Sequence, residues 1–106
     1  MGTQFEHVAI SKKANVYQEG KCISYDLSFP GHTRKTIGVV VRDTVPFRAD
    51  QDEIMEIVDG HCRVRVGESG AWSDYGPGQR FPVRAHERFE LEALEPVHYV
   101  CHFNEG

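Results

Sequence analysis

An all-β, single-domain fold of the sandwich or barrel type is predicted by three features of this sequence. Segments rich in Val, Ile, Phe, Tyr and Cys recur at a spacing of about ten residues, divided by tight turn signals. Several of these segments alternate apolar and polar residues, which is the period of a half-buried strand. No stretch keeps a helical period for three turns. One domain spanning 1–106 is expected, because 106 residues fit one compact unit that buries roughly two-thirds of its unfolded surface.

The turn signals are Glu19-Gly20, Pro30-Gly31, Asp59-Gly60, Glu68-Ser69-Gly70, Gly76-Pro77-Gly78 and Glu95-Pro96. Between them, residues 23–29 (Ile-Ser-Tyr-Asp-Leu-Ser-Phe) alternate strictly and predict a strand. Residues 37–41 (Ile-Gly-Val-Val-Val) are mainly β-branched without alternation, so they belong near the middle of a sheet. Residues 50–58 tempt toward a helix through Ile54, Met55, Ile57 and Val58. Asp59-Gly60 then leads directly into the alternating Cys62-Arg63-Val64-Arg65-Val66, so strand, Asp-Gly hairpin, strand is the better reading. Phe89-Glu90-Leu91-Glu92 alternates too, and residues 98–103 supply a last strand. So many strands in a short chain lose their edges most readily by closing a barrel or by pairing with a second subunit.

The formal charge of −4 and the pI of about 5.8 argue against a sequence-independent grip on nucleic acid, which depends on Lys and Arg neutralising phosphates. They do not oppose binding of one phosphate ion, which needs only one or two local cations. The three cysteines, Cys22, Cys62 and Cys101, are widely spaced with no Cys-x-x-Cys pair, so buried free thiols are expected rather than disulfides or a zinc site. Reduced thiols suit the cytoplasm. Met1-Gly2-Thr3-Gln4-Phe5-Glu6 lacks the basic and apolar regions of a signal peptide, and Glu6 stands where a myristoylation signal needs Ser or Thr. No apolar run reaches membrane-spanning length, so no membrane partner is expected.

Glu53, followed seven residues on by Gly60, matches the tail of the first cupin motif, G-x5-H-x-H-x3–4-E-x6-G, although the gap before Glu53 is long. Gly38 matches its start; Thr44 and Pro46 then occupy the two histidine positions. In the second motif, G-x5-P-x-G-x2-H, Gly78 is the start, Arg84 takes the proline position and Phe89 takes the last histidine position. The glycine framework thus resembles a cupin-type jelly-roll barrel without its three imidazoles. A cupin transition metal needs those imidazoles with the carboxylate, so no metal is expected. The six histidines (His7, His32, His61, His86, His98, His102) form no His-x-His pair. His98 and His102 share a strand face but stand about 13 Å apart along it.

A closer likeness extends from about Phe5 to Phe103 and rests on segments in the same order with matching gaps. They are Ala14-Asn15-Val16-Tyr17 with Gly20-Lys21-Cys22; Thr33-Arg34-Lys35-Thr36-Ile37-Gly38-Val39; Glu53-Ile54-Met55-Glu56-Ile57-Val58 with Gly60; Cys62-Arg63-Val64; Trp72 with Tyr75-Gly76 and Gly78; Phe81 with Val83; and Glu95-Pro96-Val97-His98-Tyr99-Val100-Cys101. In these the chain resembles the cupin-like pyrimidine/purine nucleoside phosphorylases. The resemblance implies a homodimer that splits nucleosides of both base classes with inorganic phosphate as co-substrate. It implies free base and pentose-1-phosphate as products, with no cofactor and no metal. One departure is Val83-Arg84-Ala85, where the family usually has Val-Pro-Gly. It changes the backbone preference of the late turn and adds a cation there.

Phosphorolysis of an N-glycosidic bond requires a cation or N–H donors for phosphate, a negative group near the anomeric carbon as it gains oxocarbenium character, and a hydrogen bond or proton for the departing base. Arg34 is the first candidate for phosphate, since its planar fork matches two phosphate oxygens. Lys35, Thr36 and Thr33 flank it, and Lys21 is a second cation. A solvated loop Arg beside a solvated Lys is the alternative. Arg63 and Arg65 share one strand face, which is either lumen or solvent. Glu53 is expected to grip the ribose hydroxyls and stabilise positive charge at the anomeric carbon; a structural ion pair with Arg34 or Arg63 is the alternative. Phe89 should project inward and, with Phe47 or Tyr99, stack on a base without reading its identity, or simply pack in the core. His86, at the late turn, is a candidate donor to the leaving base. A non-catalytic cupin that binds a sugar, nucleoside or effector is the competing function. No nucleophile elbow, P-loop or dinucleotide fingerprint is present.

Overall fold

The computed structural model describes residues 4–68 and 70–103. Ser69, in one predicted turn, and Met1 to Thr3, in the expected leaderless start, lie outside the described residues. The strands are β1 (Ala9–Ile10), β2 (Asn15–Tyr17), β3 (Cys22–Ser28), β4 (Arg34–Val40), β5 (Asp43–Arg48), β6 (Glu53–Asp59), β7 (Cys62–Val66), β8 (Ser73–Tyr75), β9 (Arg80–Val83), β10 (Arg88–Ala93) and β11 (Val97–Phe103). One short 3-10 turn, Gln18–Gly20, joins β2 to β3. A large sheet runs β1-β3-β4-β11-β6-β9, with β2 also on β3, and a small sheet runs β5-β10-β7-β8. The chain changes sheet between β4 and β5, β5 and β6, β6 and β7, β8 and β9, β9 and β10, and β10 and β11, which makes the all-β architecture a two-sheet, cupin-type jelly roll.

Local chemistry explains much of this arrangement. The β-branched β4 sits inside the large sheet between β3 and β11. Pro46 and Pro82, which cannot donate to a ladder, fall in β5 and β9, each at the edge of its sheet. The predicted strand over residues 50–58 is present as β6, but Asp59-Gly60 closes no hairpin. β6 pairs with β11 and β9, whereas β7 pairs with β10 and β8. The turn signal marks a reversal and not a partner; here the reversal carries the chain from one sheet to the other. Gly60 holds φ +87 there, and a Cβ would run into the Pro96 carbonyl.

The core lies between the sheets. Met55, Ile57, Phe81, Val83, Val97 and Tyr99 of the large sheet meet Val45, Val64, Phe89 and Leu91 of the small one. The alternation over residues 23–29 is real, but its polar side turns inward: Cys22 and Ser24 are buried, while Tyr25 is exposed on the outer face. The outer face of the large sheet also exposes Ile37, Ile54 and Val58. On the small sheet the outer face is charged. Arg63 bonds Glu92 at 2.7 Å through Nε, Arg65 bonds Glu90, and both guanidiniums lie over Trp72, at 5.2 and 4.9 Å. The three cysteines are free and buried.

Gly38 leaves room for the Tyr99 hydroxyl against the large sheet. A Cβ there would stand 2.6 Å from the Ile23 carbonyl, 2.8 Å from Ser24 Cβ and 2.9 Å from Tyr99 Oη. The phenol is held at 3.3 Å from Cys22 Sγ. Gly38→Ala should therefore destabilise the fold by about 1–3 kcal/mol, the usual cost of overpacking. Urea denaturation checks this, and an unchanged midpoint would contradict the packing described.

Candidate active site

Three neighbouring strands build the site by register. Inner residues of β4 and β11 pair as Val40 with Val97, Gly38 with Tyr99, and Thr36 with Cys101. Those of β11 and β6 pair as Tyr99 with Ile57, Cys101 with Met55, and Phe103 with Glu53. Met55 and Glu53 then face Phe81 and Val83 of β9. The layers grade from wholly apolar at Val40 and Val97 to polar at Thr36, Arg34 and Glu53. At the polar end a cavity of about 330 Å3 opens between the sheets, large enough for a small ligand. Arg34 and Glu53 flank β11 on either side, so their backbones stand about 10 Å apart, two strand spacings.

Arg34, Thr36, Glu53, Phe47, Phe89 and Tyr99 all line this cavity. Phe47 lies face to face on Phe89, centroids 5.0 Å apart and planes 15° apart, and Tyr99 meets Phe47 edge-on at 6.4 Å. Phe89 is only 2% exposed and is also held edge-on by Phe81. It backs Phe47, whose half-buried ring has the freer face. Glu53 is half-buried. Burial pushes its carboxyl above the usual carboxylate range, the charge of Asp50 adds to this, and a hydrogen bond from Cys101 opposes it. Burial, and then the charge of Glu53, push the Cys101 thiol up, so it stays protonated; the Thr36 hydroxyl donates to it. Burial likewise raises Tyr99, which stays a neutral phenol.

Four other predicted site residues lie elsewhere. Lys35 is one residue out of phase with Arg34 and Thr36, so β4 turns it to the outer face. There its ammonium donates to His102 Nδ1 at 2.7 Å, and His102 Nε2 meets Glu56 at 2.8 Å. Lys21 pairs with Asp43 at 3.6 Å on the surface. Arg63 alternates with the buried Cys62 and Val64 and therefore faces outward. His86 sits exposed in the turn Arg84–Glu87 with φ +71, a conformation better suited to glycine. That turn replaces the family's Pro-Gly with side-chain caps: Arg84 N–H donates to Glu87 Oε1 at 2.8 Å and Ala85 N–H to Asp52 Oδ1 at 2.9 Å. The Arg84 side chain lines a separate outer hollow and not the inner cavity.

Arg48, Asp50, Gln51, Ser24 and Cys101 also line the cavity without having been anticipated. The parity of Cys101 with Tyr99 and of Ser24 with Cys22 carried a signal. Arg48, Asp50 and Gln51 enter through the end of β5 and the following loop, where no periodicity points. A larger hollow of about 580 Å3 lies near β7 and β8, but it combines no buried carboxylate with stacked aromatics.

The cupin metal set does not fit. Among the described residues no group of three His, Cys, Asp or Glu side chains converges to hold an ion. The motif spacing that selects Thr44 and Pro46 is also out by one. Their ladder partners are Glu92 and Glu90, which meet Arg63 and Arg65 on the outer face. β5 turns Val45 and Phe47 inward instead, and a one-residue slip exchanges the two faces of a strand.

Fold and cavity together define a cupin-type jelly roll with an inner cavity lined by an arginine, a carboxylate and stacked aromatic rings. Among solved structures it superimposes on a protein of unknown function from Acinetobacter sp. ADP1 with TM-score 0.91 and 39% identity, covering 95% of this chain and 98% of that one. Hydroxypropylphosphonic acid epoxidase from S. wedmorenis shares the fold alone, at TM-score 0.71 and 10% identity, over 93% of this chain and 56% of that one. Residues 12–103 match the pyrimidine/purine nucleoside phosphorylase family. The chain is 48% identical over 101 residues to the pyrimidine/purine nucleoside phosphorylase of Cupriavidus pinatubonensis, covering 95% of this chain and 96% of that protein. It is 45% identical over 102 residues to that of Thiobacillus denitrificans, covering 95% and 98%. The chain belongs to this family.

The raised Glu53 carboxyl has a consequence for stability. Its folded pKa lies above its unfolded one, so the folded state is favoured most where the group is protonated in both states. That advantage is lost as pH rises from the ordinary carboxylate value through the raised one. Glu53→Gln should therefore melt above the wild type at neutral pH, with the gap closing toward about pH 4. Thermal melts across pH measure it; a gap that widens on acidification would reverse the assignment.

Proposed function

We propose that this chain is a working nucleoside phosphorylase that splits purine and pyrimidine nucleosides into free base and pentose-1-phosphate, using inorganic phosphate and no metal ion. The observation that carries this reading is the single cavity shared by Arg34, Glu53 and the Phe47 ring. The Arg34 fork holds phosphate oxygens, with the Thr36 hydroxyl as a further donor and Arg48 as a second guanidinium from the opposite sheet. Ionised Glu53 accepts hydrogen bonds from the ribose hydroxyls and faces the anomeric carbon.

As the C1′–N bond breaks, its electron pair leaves with the base and positive charge builds on the sugar. The nearby carboxylate stabilises that charge. A phosphate oxygen then bonds to C1′, and the proton that the phosphate gives up on forming the ester passes, directly or through water, to the departing base. Phe47, backed by Phe89 and edged by Tyr99, offers a ring face to the base. Stacking accepts any base, which supports broad specificity.

The remaining features of the reading follow the same lines. A homodimer is supported by the exposed Tyr25, Ile37, Ile54 and Val58 on the outer face of the large sheet, a patch that a second copy would cover. A cytoplasmic setting is supported by three free thiols. No helix among the described residues is long and apolar enough to cross a membrane.

Uridine and inosine should each release free base in phosphate buffer, release none without phosphate, and be unaffected by a chelator. Cleavage of one base class only would end the broad-specificity claim, and loss of activity on chelation would end the metal-free one. No cleavage at all would favour a ligand-binding cupin. Arg34→Ala should raise the phosphate KM about tenfold or more, as expected for loss of a charge-assisted hydrogen bond. Unchanged phosphate saturation would remove Arg34 from the site. Sedimentation should give a dimer, and a monomer at working concentration would overturn that part.

A further inference from the structure

We infer that the Ser24 hydroxyl is the donor that meets the departing base, held ready for it by a relay from Asp26 through Asn15. The inference deepens the phosphorylase reading and rests on it. Phosphorolysis requires a hydrogen bond or a proton for the base as it leaves, and His86 lies exposed in the late turn. Ser24 is 2% exposed and lines the cavity that Arg34, Glu53 and Phe47 share.

The hydrogen bonds around Ser24 fix where its proton can go. Asn15 on β2 is the ladder partner of Ser24 on β3. Asn15 Nδ2 lies 3.1 Å from Asp26 Oδ1 and 3.3 Å from Ser24 Oγ. A carboxylate only accepts, so Asn15 must turn its amide nitrogen, and not its oxygen, toward Asp26. That nitrogen has two hydrogens, one for Asp26 and one for Ser24. Ser24 Oγ is therefore an acceptor on its Asn15 side, and its own hydrogen is left over. Asn15 is the one hydrogen-bond partner of this hydroxyl among the described residues. The hydrogen is free for a guest in the cavity.

Position selects the base as the part of the guest that Ser24 meets. Ser24 pairs with Gly38, and Gly38 pairs with Tyr99. A Cβ on Gly38 would stand 2.8 Å from Ser24 Cβ and 2.9 Å from Tyr99 Oη, so serine and phenol adjoin over the glycine. Phe47 meets the same Tyr99 edge-on. The ring face offered to the base and the free hydrogen thus belong to one layer. Arg34 lies four residues from Gly38 along β4, and Phe103, the partner of Glu53, lies four from Tyr99 along β11. Each is a separation of about 13 Å. With phosphate and ribose at the Arg34–Glu53 end, the base points toward Ser24.

Purines and pyrimidines share an acceptor beside the glycosidic nitrogen, N3 in one class and O2 in the other. Electrons released as the C1′–N bond opens gather partly on that atom. A donor there binds more strongly in the transition state than in the bound nucleoside. Ser24 keeps its hydrogen throughout, and the proton that neutralises the base still comes from phosphate. Stacking on Phe47 holds any base but does not help it leave; one hydroxyl at the shared acceptor helps both classes leave.

The test removes the acceptor from the guest as well as the donor from the protein. It compares inosine with 3-deazainosine, in which a C–H replaces N3, and free hypoxanthine with 3-deazahypoxanthine. The proteins are wild type, Ser24→Ala and Asn15→Ala. Wild type should bind 3-deazahypoxanthine about three- to tenfold more weakly by calorimetry, and its kcat/KM on 3-deazainosine should fall about tenfold or more. Ser24→Ala should lose activity on inosine and uridine alike, and its discrimination within each pair should shrink by the same factor. Asn15→Ala, which keeps the hydroxyl but frees it to rotate, should fall between the two. Wild type that binds both bases equally would overturn the inference without any variant. A penalty as large in folded Ser24→Ala as in wild type would also overturn it, and full discrimination in Asn15→Ala would remove Asn15 as the positioning residue. Discriminating binding without turnover of inosine or uridine would uphold the Ser24 contact and overturn instead the phosphorylase reading.

Discussion

The antiparallel register of β4, β11 and β6 governs the whole interior. Each inner residue of β11 has one partner on either side, so the chemistry of the cavity is set layer by layer. The Val40–Val97 layer seals one end with hydrocarbon. The Gly38–Tyr99–Ile57 layer works because Gly38 leaves room for the phenol. The Thr36–Cys101–Met55 layer introduces the first polar contacts, and the next layer carries Arg34 and Glu53. A slip of one residue between β4 and β11 would send Lys35 inward and Arg34 outward, exchanging a cation over the cavity for one bound to His102. Register therefore selects which of two adjacent cations lines the cavity.

The same gradient separates the layers that favour folding from the layer that opposes it. The apolar layers drive folding by removing Ile57, Val97, Leu91 and Val64 from water. The polar layer works against it, because a half-buried carboxylate beside Asp50 resists ionisation. The outer side of the large sheet in addition exposes Tyr25, Ile37, Ile54 and Val58 beside the Lys35–His102–Glu56 network. The polar residues of the inner face and these exposed apolar residues of the outer face share one origin. Residues 23–29 and 34–40 present Ser24, Arg34 and Thr36 to the lumen, and the alternating partners Ile23, Tyr25 and Ile37 must then face the other way.

Much of the fold was legible because its signals are local. Alternation located β3, β7 and β10, a β-branched run located β4, and turn residues located most of the reversals. What was not legible is non-local. Asp59-Gly60 marks a reversal equally well whether the next strand pairs back or crosses to the other sheet, so the hairpin expected there is a crossover. The site shows the same division. Glu53, Arg34, Thr36, Phe47, Phe89 and Tyr99 were found to share one cavity because motif position and strand parity carry that information. Lys35 failed by one residue of phase, and His86 by lying at the apex of a strained turn. Arg48, Asp50 and Gln51 depend on how a loop folds over the opening, and nothing in their own sequence reports it. Thr44 and Pro46 show that motif spacing transferred across a gap of altered length loses strand phase, and with phase it loses the face.

In a metal-binding cupin the lumen carboxylate has its charge met continuously by the ion. Here Glu53 shares its cavity with a like-charged Asp50 and with two guanidiniums, Arg34 and Arg48, that make no ion pair with it. In the proposed reaction the ground-state sugar is neutral, and positive charge appears on it only as the glycosidic bond opens. A carboxylate left partly uncompensated by its own protein gains most at that moment, because the new attraction is strongest where no resident cation has already taken it. A bound metal or a tight Arg34–Glu53 pair would satisfy the carboxylate equally in both states and would lower the barrier by less. On the proposed reading, a carboxylate without permanent neutralisation raises the folded state's energy slightly while steepening the difference between ground and transition states. On that argument the replacement of the three motif imidazoles suits the proposed chemistry, because nothing in those positions cancels the charge before the glycosidic bond opens.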